Sequence, residues 1–166
     1  MTWGISTDTF LQIHIALSLI GIASGLVMLY GLLSGHALAG WTALFLVTTI
    51  LTGVTGFPLA PFGFDPARTV GAILLVLLAA AVAARYIFSL AGAWRWIYVI
   101  SAIMALYLNV FVGVVQAFQK LPFLQTLAPT QAEPPFQITQ LVVLAIFIVL
   151  GVVALVRFHP APKIAT

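Results

Sequence analysis

The sequence predicts an all-α integral membrane bundle of five transmembrane helices, and three observations carry that prediction. Hydrophobic residues make up 63% of the 166 and charged residues 5%, with a mean hydropathy of +1.23. A soluble domain of this size would be covered in apolar surface and would aggregate. Five apolar runs, at about 10–33, 38–57, 70–90, 96–118 and 138–158, are each near the ~20 residues needed to cross a ~30 Å hydrocarbon core. Trp3, Trp41, Trp94 and Trp96 all fall near the ends of these runs, where aromatic belts form.

The first run, 10–33, is read as a retained helix. The N-terminal MTWGISTDTFLQIHIALSL has no basic n-region and no small-residue cleavage site, so it does not read as a signal peptide. Only Ser34, Gly35, His36 and Ala37 separate it from the second run, which makes a tight antiparallel hairpin. The third and fourth runs are joined as closely, through Ala91, Gly92 and Ala93 beside Trp94 and Arg95. Two connections are longer, 57–69 and 119–140. In the latter, Pro122, Pro129, Pro134 and Pro135 forbid one continuous helix, while Phe123, Leu124, Leu127 and Phe136 make it too apolar for disorder. We read it as an outer-side cap on the bundle or at the interface.

The fourth run has two unlike faces. At about 100° per residue, Ala102, Ala105, Asn109, Gly113, Gln116 and Lys120 share one stripe, and Ile100, Ile103, Tyr107, Phe111, Val114 and Phe118 the opposite one. In lipid, small residues mark helix contacts and polar ones need a partner, so the first stripe should face neighbouring helices. Tyr107 and Phe111 should then face acyl chains.

With the N-terminus outside and the C-terminus inside, Arg85, Arg95, Arg157 and Lys163 collect on the inner side. Arg68 and Lys120 lie outside with Asp8, Asp65 and Glu133, so the positive-inside rule prefers this orientation by two basic residues. No repeat or composition break divides residues 1–166, which form a single domain.

Composition removes several function classes. The net charge of +3 comes from six basic and three acidic residues. The basic balance thus reflects few acids and not a nucleic-acid-binding patch, and the lipid bilayer is the implied partner. Without cysteine there is no disulfide, thiolate metal site, iron–sulfur cluster or cysteine nucleophile. No G-x-S-x-G, H-E-x-x-H, phosphate loop or intramembrane carboxylate pair occurs, so no catalytic or metal-ligating set is assigned.

The polar residues within the apolar runs are the remaining candidates. His14, Ser18, Gly21 and Gly25 share a stripe of the first helix; Thr48, Thr52 and Thr55 share one on the second, beside Thr49, Gly53 and Gly56. With Asn109, Gln116 and Lys120, these faces can converge in the outer half of the bundle. The candidate ligand-binding residues are therefore His14, Thr52, Thr55, Asn109, Gln116 and Lys120. The plainer reading is that Thr and Gly pack helices, Asn and Gln bond across them, and Lys120 snorkels to headgroups. Haem is disfavoured, because His14 lies at the outer side while His36 and His159 lie at the inner surface.

The segments IHIALSLIGIASGLVMLYGLLSGHALAGWTALFLVTTILTGVTGF and LYLNVFVGVVQAFQKLPFLQTLAPTQAEPPF resemble those of small multi-spanning inner-membrane proteins of bacteria in uncharacterised families. The first also resembles, more loosely, the helical hairpins of b561-like membrane proteins. That likeness implies paired haem-ligating histidines at core depth; this chain has none there, so no ligand carries over. The resemblance implies a bacterial inner-membrane location and no particular reaction.

Three functions fit these residues. The one the sequence favours is a non-enzymatic accessory or scaffold subunit, packing through its glycine and alanine stripes against other membrane subunits or a second copy. The alternative is a quinone- or lipid-binding protein with a pocket in the outer half, beneath the 119–137 cap. The third, least supported, is a haem-linked electron carrier.

Overall fold

The helices follow from local chemistry at their ends. The computed structural model describes residues 4–59 and 66–159. Ser6 accepts from the Thr9 amide at 3.2 Å and starts α1, Thr7–Leu33. Gly35 at φ +74° ends it, with the His36 amide on Gly31 O at 2.8 Å. α2 is Ala39–Leu59. α3, Pro66–Val82, begins on a proline and continues as a π-helical stretch, Ala83–Ile87. α4 is Ala93–Lys120. Leu121 is extended before Pro122, which breaks the chain into the short α5, Pro122–Leu127. α6, Pro134–Arg157, again starts on a proline.

Among the described residues the chain is all-helical, and five helices are long and apolar enough to cross a membrane. That is the build of an integral membrane protein. Trp3, Asp65 and Lys163, which entered the belt and charge readings, lie outside the described residues, as does the 60–65 part of the 57–69 connection.

α4 is the central helix. It touches α1, α3, α5 and α6, while α2 bridges α1 and α3. Close approach of α1 to α2 and α4 depends on two glycines one turn apart. A Cβ on Gly21 would lie 2.9 Å from Thr49 Oγ1, and one on Gly25 would lie 2.5 Å from Leu106 Cδ1 and 2.8 Å from Phe45 Cδ2. Between α2 and α3, Gly53 gives Leu75 the same room, at 2.8 Å.

The expected face assignment of α4 holds on one side only. Ala102, Ala105 and Asn109 are buried, but so are Ile103 and Phe118 from the stripe assigned to lipid. Tyr107 and Phe111 are half-buried, and Tyr107 packs on Phe147 of α6 with ring centroids 5.7 Å apart. The fifth span covers this face. Because α6 is as apolar as lipid tails, α4's own pattern cannot distinguish the two neighbours.

The two ends of the bundle are finished differently. At the end where α1 and α6 stop, Arg95 donates to Leu155 O at 3.0 Å and Phe158 O at 2.6 Å, and Arg157 donates to Leu33 O at 3.5 Å. Guanidinium groups there cap carbonyls that helix ends leave open. At the opposite end, α5 turns its apolar residues outward, with Phe123 64% exposed. Such a helix suits the interface plane. The following loop is tied back to α4 by Gln131 Nε2 donating to Val115 O at 3.0 Å. Glu133 accepts from the Thr130 hydroxyl at 2.8 Å and from the Thr130 and Ala132 amides, bonds that hold its carboxyl below the usual range.

Candidate functional site

The polar residues of the first, second and fourth helices converge as their spacing requires. A cavity of about 770 Å³ lies between α1, α2, α3 and α4 toward the end where α1 begins. His14, Thr52, Asn109, Gln116 and Lys120 all line it. Thr55 does not. It stands behind His14, with Oγ1 2.8 Å from His14 Nδ1.

That contact fixes how the histidine is presented. The single Thr55 hydroxyl proton is directed to Leu51 O at 2.7 Å, so Thr55 Oγ1 is left to accept from His14 Nδ1–H. In the neutral ring Nε2 is then an unprotonated acceptor, and it has no partner among the described residues. Thr55 is a positioning residue rather than a lining one.

The hydroxyls nearby are largely spent on the backbone. Thr52 donates to Thr48 O at 2.9 Å, Thr48 to Leu44 O at 2.7 Å and Ser18 to His14 O at 3.0 Å, the usual return of Ser and Thr to the preceding turn. Asn109 Nδ2 donates to Thr49 Oγ1 at 3.3 Å, joining α4 to α2. This leaves Asn109 Oδ1, the Gln116 amide, Lys120 Nζ and His14 Nε2 without partners among the described residues, all on side chains lining the same cavity. From Asn109 to Lys120 the polar track climbs α4 for about 16 Å at 1.5 Å per residue. Ile15, Leu19, Ile22, Leu74 and Val112 supply the apolar part of the wall.

Sequence reasoning did not find the contribution of the third helix. Arg68, Gly71 and Leu74 line the cavity because α3 starts at Pro66, four residues before the run assigned to it. Pro66 as a helix start, with Arg68 and Gly71 three apart, was the available signal. The expected cover is also revised. Of the 119–137 segment only Lys120 and Leu121 line the cavity, because the loop is drawn back along α4 by Gln131. His36 follows α1 and His159 follows α6 at the far end of the bundle, distant from His14.

An Asn109→Leu chain should lose about 0.6–2 kcal/mol of stability, the range for a hydrogen bond between transmembrane helices. Unfolding by SDS titration from mild detergent would measure it. Unchanged stability would remove the Asn109–Thr49 bond from the account of how α2 and α4 are held.

No protein-family model matches the chain, and no curated protein or solved structure matches it.

Proposed function

We propose that this chain is a bacterial inner-membrane protein that binds a small molecule with an apolar body, a quinone or a lipid, in the cavity between α1 and α4. The observation that carries the reading is the set of unspent polar groups on His14, Asn109, Gln116 and Lys120 around one hollow. Interhelical packing alone would satisfy such groups, since unpaired polar atoms at membrane depth cost free energy. A volume of about 770 Å³ falls among small-molecule sites, typically about 300–1,000 Å³. The N-outside orientation accompanies the proposal and rests on Arg85, Arg95 and Arg157 at the opposite end.

The accessory-subunit reading draws less support. That reading rests on the absence of catalytic groups together with glycine and alanine stripes, and the space at Gly21, Gly25 and Gly53 is already filled by Thr49, Leu106, Phe45 and Leu75 of the same chain.

Purification in mild detergent, solvent extraction and mass spectrometry test the proposal. The natural chain should carry a discrete apolar species enriched over bulk lipid. A Gly113→Phe chain should lose it while remaining folded, because Gly113 lines the hollow and a Cβ there meets only Ile22 Cδ1 at 3.5 Å. Bulk phospholipid alone, identical in both chains, refutes the binding function.

A further inference from the structure

We infer that the ligand of this cavity carries a hydroxyl on its head, as a hydroquinone or a neutral hydroxylated lipid does, and donates its O–H to His14 Nε2. The inference rests on the binding function proposed above and specifies the chemistry of the head. α2 fixes what the histidine can offer. Thr55 Oγ1 gives its proton to Leu51 O at 2.7 Å and takes the Nδ1 proton of His14 at 2.8 Å. A neutral ring held in that tautomer presents a lone pair at Nε2. The ring is also backed by Gly56, where an added Cβ would stand 3.5 Å from His14 Cε1. With Nδ1 on Thr55 and Cε1 beside Gly56, Nε2 is the polar atom left to the cavity that His14 lines. A half-buried acceptor calls for a donor, and no donor among the described residues bonds to it.

The depth of His14 selects the second group that meets the head. α1 and α4 run antiparallel, because a Cβ on Gly25 would lie 2.5 Å from Leu106 Cδ1 and one on Gly21 would lie 3.2 Å from Asn109 Nδ2. Climbing from that second contact, from 21 to 14 on α1 and from 109 to 116 on α4, covers about 10 Å at 1.5 Å per residue. His14 and Gln116 therefore stand at one level, and both line the cavity. A hydroxyl suits the pair, donating to His14 Nε2 and accepting from the Gln116 amide. A ketone, ester or ether offers lone pairs alone, so it matches the amide and sets lone pair against lone pair at the histidine. Below this level Leu19, Ile22, Leu74, Leu108 and Val112 line the cavity and receive the apolar body.

Binding to the purified full chain in phosphatidylcholine nanodiscs, at a pH of about 8 where an imidazole is neutral, tests this with para-decylphenol and its methyl ether, each corrected for uptake by empty nanodiscs. The two probes differ in the O–H, and the phenol should bind about tenfold more tightly, the order expected when a desolvated acceptor is left unmatched. His14→Phe keeps a ring, removes the acceptor and should erase that preference, with its helical circular-dichroism spectrum checking the fold. Thr55→Val removes the group that holds Nδ1–H and should lower the preference by a smaller factor; it carries the comparison if His14→Phe does not fold. Decyl hydroquinone, kept reduced, and dioctanoylglycerol then separate the sources, and the tighter binder identifies the head as quinol or lipid. If the ether binds as tightly as the phenol, or His14→Phe keeps the preference, the hydroxyl donor is wrong while the cavity remains a binding site. If none of the four binds, the proposed binding function itself falls.

Discussion

A Gly25→Leu chain should fail to hold its central helix junction and should unfold at far lower SDS than the natural chain. Even one added carbon meets Leu106 at 2.5 Å and Phe45 at 2.8 Å, and both of those side chains are fully buried. Overpacking a filled core by a methyl group costs about 1–3 kcal/mol, and leucine adds three more carbons where no space exists. Neither α2 nor α4 can step back freely, because the Asn109–Thr49 bond ties them together three residues from Leu106 and four from Phe45. Gly40→Leu is the control. Nothing lies within 4 Å of a Cβ there, so its effect should stay within about 0.5 kcal/mol, as at exposed sites generally. Equal stability of the two leucine chains would mean that α1 does not cross α2 and α4 at Gly25.

An Arg95→Met chain should lose about 2–4 kcal/mol, with the damage concentrated in α6. Two carbonyls, of Leu155 and Phe158, lose a charged donor at once. Hydrogen bonds to charged groups contribute about 1.5–3 kcal/mol each, and two on one guanidinium do not add fully. α6 is the least buried of the five long helices, so this anchor is a large share of what fixes it. Arg95→Lys should fall between, since an ammonium is a point charge and cannot present a planar fork to both oxygens. Hydrogen exchange across 150–158 would show the opening directly. Natural protection in the Arg95→Met chain would remove the cap from any role in stability.

How much of this was legible in residues alone varies from helix to helix. Apolar run lengths placed five long helices, and Pro122 and Pro134 marked the breaks between which α5 forms, because hydropathy and backbone chemistry act locally. The partner of each face was less legible. Ile103, Tyr107 and Phe118 look the same to a sequence whether α6 or lipid lies beyond them, and here α6 does. Within the cavity, His14, Asn109, Gln116 and Lys120 were visible through their spacing along α1 and α4. Thr55 shares their spacing, but only the structure shows its hydroxyl lying against His14 Nδ1 and not on the cavity wall. Arg68 was hidden in what read as a loop until α3 began at Pro66.

The contrast between the two ends of the molecule sets how it can move. Where Arg95 and Arg157 grip free carbonyls, three helix termini are stapled together: the start of α4 and the ends of α1 and α6. Toward the opposite end α1, α2, α3 and α4 surround the hollow. Splaying α1, α4 and α6 apart at the stapled end would have to break these guanidinium bonds, so the three helices are held closest there.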